Sequence, residues 1–274
     1  MVVEAFGGKV SRASRYVALS LPRLWMRDVL HFGMKSMVAG GATSIQVARV
    51  AEVRRRHQPL ISWSAILIKA IALVAKEWPD LRRAYMPFPW AHLYEHPHTV
   101  ATVVLEREWR NAPAVFFDQI QQPEKKSLRE IDYELRGMKR AKIEDLGGYR
   151  RIIRITRYPL LLRRLMWRIG LQGSGRLRAK YFGTFSINSM VSRSGITTQS
   201  TTPITLSIFY GPIDRNGEMP LQIFFDHRVI DGSSVKRISL GIQAVLNCEI
   251  VAELNKDPTT SQANSFACAD EVIE

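Results

Sequence analysis

LQIFFDHRVIDGSS, residues Leu221 to Ser234, joins an alternating apolar run to a histidine and then to an acidic, glycine-containing turn. Leu221, Ile223 and Phe225 alternate with Gln222, Phe224 and Asp226, the period of a strand with at least one buried face. His227 then stands at the strand's end, and Asp231 follows it by four residues. Gly232 supplies backbone able to take positive φ. Val235, Ile238, Ile242 and Val245 recur at helical spacing, so the order reads strand, histidine, turn, helix. An imidazole with an ordinary pKa of ~6.5 accepts a proton at neutral pH, whereas a thiol near ~8.5 is a weak nucleophile until deprotonated. A histidine placed beside a thiol can take that proton. An isolated histidine here would more often be a strand-end residue bonded to backbone, so the rest of the chain has to decide.

The sequence DHRVIDG, Asp226 to Gly232, resembles the catalytic signature of the dihydrolipoyl acyltransferases of 2-oxoacid dehydrogenase complexes. More distantly it is similar to that of chloramphenicol acetyltransferase. Other blocks follow in the family's order: the serine-led helix SLREIDYELRGMKRAKIEDL, the strand GTFSINSM, and TTPI before a strand ending in YGPI. The resemblance covers most of Arg15 to Leu254 and is nearest to stand-alone, single-domain relatives. It implies a chloramphenicol acetyltransferase-like α/β fold, a two-layer sandwich with a mixed sheet, and an active site between the subunits of a homotrimer.

Carried over by position, the resemblance makes His227 the general base toward a thiol or hydroxyl acceptor. Asp231 would hold the turn and the histidine's orientation. The hydroxyl-bearing residue that donates to the oxyanion falls at Asn188, where serine or threonine is usual. An asparagine amide is a legitimate oxyanion donor, worth ~3 kcal/mol at the transition state. A shift of one residue would hand the task to Ser189, because adjacent strand residues face opposite ways. Ser189 and Ser186 are the candidate substrate-binding residues on this strand. No cofactor is expected to be permanently bound; a coenzyme A thioester, or an acyl group carried on lipoyl or phosphopantetheine, would be the substrate. Loss of the usual hydroxyl also leaves open a catalytically silent scaffold of the same fold.

At 274 residues and 46% hydrophobic the chain can bury a full core, read as one domain over residues 15–255 between an N-terminal arm, 1–14, and a polar tail, 256–274. Cys248 and Cys268 form no disulfide framework, which points to a reducing cytoplasm. No metal is implied: His92, His96 and His98 lack a further ligand at metal-binding spacing. Tyr16 to Leu21 has the pattern of a strand, as has Thr99 to Leu105. Val47 to His57 and Trp63 to Trp78 read as helices, and Leu128, Ile131, Leu135 and Met138 mark an amphipathic one. The apolar run from Ile61 to Ala75 is too short to span a membrane comfortably.

The net charge of +14 is concentrated. Between Tyr149 and Lys180 stand nine arginines and one lysine, with no aspartate or glutamate. The same stretch carries Ile152, Ile153, Ile155, Leu160 to Leu162, Leu165 and Trp167, and Pro159 marks a helix start. It reads as an insertion relative to the family, a cationic helical hairpin whose arginines face solvent or a phosphate-bearing ligand. Its candidate partners are coenzyme A phosphates, an acidic acyl-carrier or lipoyl domain in trans, or an anionic membrane surface. Nucleic acid ranks behind these because no stacking platform or binding motif accompanies the charge. Gly147-Gly148 and Gly173 to Gly175 read as hinges flanking the insertion, and Arg228 as a partner for a carboxylate.

Overall fold

The structure, a computed structural model, describes residues 19–34, 38–109, 112–190 and 203–256. The expected N-terminal arm and most of the polar tail lie outside the described residues. One mixed six-stranded sheet organises the chain, in the order β1 (Val38–Gln46), β8 (Glu218–Asp226), β7 (Leu206–Tyr210), β6 (Phe185–Ser189), β4 (Val100–Trp109) and β5 (Ala112–Gln121). The two central pairings, β4 with β6 and β6 with β7, are parallel; the outer ones are antiparallel. A separate hairpin is formed by β2 (Arg83–Met86) and β3 (His92–Glu95).

One face of the sheet presents Val103, Ile187, Ile208 and Ile223 in register, all buried in a continuous core. Over it pack α3 (Trp63–Glu77) and α8 (Ser234–Val245), with α4 (Leu128–Arg140) against α3. The α3 helix is buried nearly all round, and Ser62 caps it by accepting from the Ala65 N–H. Ser127 and Glu130 form a capping box for α4, which buries Leu128, Ile131 and Leu135 and turns its charges outward. The helices α2 (Ala48–Arg55) and α9 (Val251–Lys256) complete this layer. No helix among the described residues is long and apolar enough to cross a membrane.

Two expectations about local structure are corrected. The strand read over Tyr16 to Leu21 is replaced, where described, by the start of α1 (Leu21–Gly33), whose first turn accommodates Pro22. The basic segment read as an insertion, and called that below, forms three helices rather than a hairpin: α5 (Gly147–Thr156), α6 (Leu160–Arg168) and α7 (Gly175–Phe182), with a π-helical turn at 169–173. Gly147 and Gly148 are thus the first turn of α5 and not a hinge. Gly148 is required by proximity, because a Cβ there would lie 2.0 Å from the carbonyl oxygen of Phe117 on edge strand β5. α5 thereby packs closely on β5, the strand at that end of the sheet.

The insertion is fastened to α1. Trp167 stacks on Phe32 at 5.5 Å and packs beside Trp25 at 4.6 Å. Arg163, read as a surface charge, is buried and paired with the equally buried Asp28, and its Nη1 also donates to the Thr156 carbonyl at 3.2 Å. A buried guanidinium needs such partners, since its planar donors match a carboxylate and nearby carbonyls that an ammonium cannot reach together. Arg163→Lys should therefore cost about 1–3 kcal/mol in denaturant unfolding, while Arg164→Lys, on the exposed side of the same helix, should leave the midpoint unchanged.

Candidate active site

The β8 strand delivers its last residue, Asp226, into the interior, and a tight turn follows: the N–H groups of Val229 and Ile230 both donate to the Asp226 carbonyl. His227 is pushed out at the head of this turn, with 54% of its side chain exposed. Its Nδ1 lies 3.8 Å from Oδ1 of Asp231, whose side chain is 84% exposed. That spacing allows an ion pair through solvent and no direct hydrogen bond. Gly232 does not adopt positive φ; the described glycines that do are Gly183 and Gly217. The turn is closed instead by backbone, through Ser234 N–H to the Asp231 carbonyl.

The carboxylate that organises the turn is Asp226. Its Oδ1 accepts from the backbone N–H of Arg228 at 3.1 Å and from Nε at 2.8 Å, and its Oδ2 from Nη2 at 2.6 Å. Arg228 also lies over the ring of Tyr85, 4.4 Å from its centroid. The side-chain hydrogen bond to Asp226 raises the Arg228 pKa. Below this pair lies Arg178 of α7, which donates to the Tyr85 and Pro203 carbonyls at 2.8 and 2.9 Å. Burial draws its pKa down to about 10, opposed by the nearby Asp226 charge. Reading the charge of the insertion as a solvated or ligand-facing surface concealed Arg178. The one available signal was the polar pair Asp226 and Arg228 bracketing the histidine.

On β6 the expected residues separate by face. Asn188 is half-buried and in register with Phe209 of β7, which in turn pairs with Gln222 of β8. Phe209 and Phe224 meet edge to face at 5.5 Å on this side. The helices α3 and α8 lie on the other side, where Ile187 points, and Ser189 shares that side while remaining exposed. Ser186 shares the face of Asn188 but is fully buried, with its Oγ 2.9 Å from that of Ser207. It is a brace between β6 and β7, out of reach of a substrate.

Register fixes how far apart the two halves of the site stand. Asn188 is level with Gln222, and β8 runs four residues further to Asp226, roughly 13 Å, before the turn that carries His227, two strands across. One chain does not bring Asn188 and His227 together. The histidines expected to be incidental behave locally: His96 Nδ1 is 2.6 Å from the His98 carbonyl, and burial lowers the His96 pKa.

No family model matches the chain, and no curated protein does. Solved structures do. The dihydrolipoamide acetyltransferase of Azotobacter vinelandii, in which a serine, a histidine and an asparagine have been investigated for their part in the catalytic mechanism, superposes with a TM-score of 0.63 at 16% identity, over 88% of this chain and 94% of its own. The cubic core of a pyruvate dehydrogenase multienzyme complex gives 0.61 at 16% identity, over 93% and 99%. A chloramphenicol acetyltransferase gives 0.52 at 12%, over 83% and 98%. The chain has the chloramphenicol acetyltransferase-like fold, as expected from its sequence blocks.

Proposed function

We propose that the protein is an acyltransferase that moves an acyl group between a thioester, on coenzyme A or a carrier, and a thiol, hydroxyl or amine acceptor. The observation that supports it best is an exposed histidine at the end of β8, in a turn fixed by the buried Asp226 and its partner Arg228, on a fold common to acetyltransferases. His227 takes the acceptor's proton, and the acceptor attacks the thioester carbonyl. The resulting oxyanion is met by the Asn188 amide. Collapse expels the donor thiolate, which recovers the proton from the imidazolium. Asp231, 3.8 Å from the ring, helps to hold its orientation.

Because Asn188 and His227 stand so far apart in one chain, the reading requires a second copy to complete each site, in a homotrimer. The half-buried Phe209 and Phe224 beside Asn188, with the buried Gln222 Oε1 lacking a partner, suit a face that another copy covers. The substrate arrives in trans, and the outer side of the insertion is suited to an acidic acyl-carrier or lipoyl domain or to an anionic membrane surface. There Leu161 is 82% exposed among arginines. The cytoplasm is the proposed compartment.

The departure at Asn188 favours one competing reading, a silent scaffold that keeps the fold and uses this cationic side to hold an acidic partner. Acyl transfer from a panel of acyl-coenzyme A and carrier-bound donors separates the two. Asn188→Ala should lower kcat about 10²-fold with Asn188→Ser largely retained, and Ser189→Ala should change little. Absence of turnover across the panel, with acidic carrier still bound, would establish the scaffold.

A further inference from the structure

Between the insertion and the sheet lies a cavity of about 500 Å³, within the ~300–1,000 Å³ usual for small-molecule sites. Its walls are mainly apolar: Trp25 from α1, Phe117 from β5, Ile152 and Ile155 from α5, Trp167 from α6 and Phe182 from α7. Met166, an adaptable side chain, adds to them. Two features call for more than a plain hydrocarbon. The indole Nε1 groups of Trp25 and Trp167 are buried without hydrogen-bond partners, although buried donors are nearly always satisfied. Arg151 and Arg154 also line the cavity, with Arg151 stacked on Tyr181 at 4.8 Å. Asp118 lies within electrostatic reach of Arg151, and burial raises its pKa against that attraction and the hydrogen bond from the Gln119 N–H. Asp118 lines the cavity too, so two guanidinium groups stand there against one carboxyl.

Position ties this cavity to the site. Thr102, in its wall, is the register partner of Ser186, and Asn188 is two residues further along β6 on the same face. The two backbones are about 8 Å apart by strand geometry.

We infer that the cavity under the insertion seats an aliphatic acyl chain of medium length, whose oxygen-bearing head meets the arginines and the unsatisfied indoles. This rests on the acyltransferase reading for its use in catalysis, and on the cavity alone for binding. The same chemistry comes from a free fatty acid or from an acyl-coenzyme A, so both are tested. Decanoate and decanoyl-coenzyme A, below micellar concentrations, are titrated into the full chain by calorimetry and by tryptophan fluorescence, which Trp25 and Trp167 should report. Saturable binding of one decanoate per chain is expected. Ile155→Trp, and independently Met166→Trp should the first not fold, should weaken it at least tenfold. Arg151→Gln should weaken decanoate and leave decanol unchanged.

Binding of decanoyl-coenzyme A but not decanoate would make the thioester the ligand. With transfer assays, the filled variants should move the chain-length preference from decanoyl toward acetyl donors. No saturable binding of either probe, or binding unaltered in folded filled variants, overturns the inference even if acetyl transfer proceeds. Binding of decanoate with no His227-dependent transfer from any donor instead overturns the enzyme reading and leaves a fatty-acid site.

Discussion

His227→Ala should lower acyl transfer by up to about 10⁴-fold and leave the unfolding midpoint where it is. The pairing of those outcomes is what carries weight. A histidine with 54% of its side chain exposed, whose described contacts are the Phe225 ring at 5.8 Å and Asp231 at 3.8 Å, has little to do for stability. Substitutions at such surface positions fall within about 0.5 kcal/mol. A structural histidine would give the reverse, lost stability and unchanged turnover, and that result would remove His227 from the mechanism. Mixing sharpens the test. If each site takes its histidine from one subunit and its asparagine from a neighbour, Asn188→Ala and His227→Ala chains are each nearly inactive. Refolded together they should regain activity in roughly a quarter of sites, from random assembly of a symmetric oligomer. A site contained in one chain gains nothing on mixing.

Legibility in the sequence followed the strength of local patterns. The β8 strand, its turn and α8 were readable because a period of two gives way to a helical period at His227. For α3 its apolar length sufficed, and for α4 the leading serine and the helical spacing of its apolar residues. By contrast β1, VAGGATSIQ, has little apolar alternation, since only Ile45 is buried. It is an edge strand that pairs with β8 through backbone, and Gly40 leaves room for the ring of Phe224, where a Cβ would lie 2.8 Å from that ring. Four-residue strands such as β2 and β3 are too short to carry a period. The insertion was visible as charge, but its fate depended on partners 25 to 135 residues away in the chain. Arg163 is internal because Asp28 is on the facing helix, and Arg178 because Tyr85 and Pro203 present carbonyls. Composition treats those arginines like Arg164 and Arg168; only packing tells them apart.

Asp226→Ala should destabilise the protein by about 3–5 kcal/mol and reduce turnover as well, although Asp226 touches no substrate in the proposed mechanism. Its carboxylate, 1% exposed, is the acceptor for three hydrogen bonds from Arg228 and the nearest compensation for the buried Arg178. Removing it leaves two guanidinium groups in or near the interior with their charge unmatched, which costs more than the lost bonds themselves. Asp226→Asn keeps an oxygen for the Arg228 N–H but not the charge, so an intermediate loss is expected. The double change Asp226→Ala with Arg228→Ala should recover part of the deficit, and the recovered energy measures the pair. Turnover behaves differently in that cycle. Both residues fix the turn from which His227 projects, so the double variant regains stability without regaining rate. Equal recovery of both would mean that the turn forms without this pair, and that the position of His227 is set by the partner subunit instead.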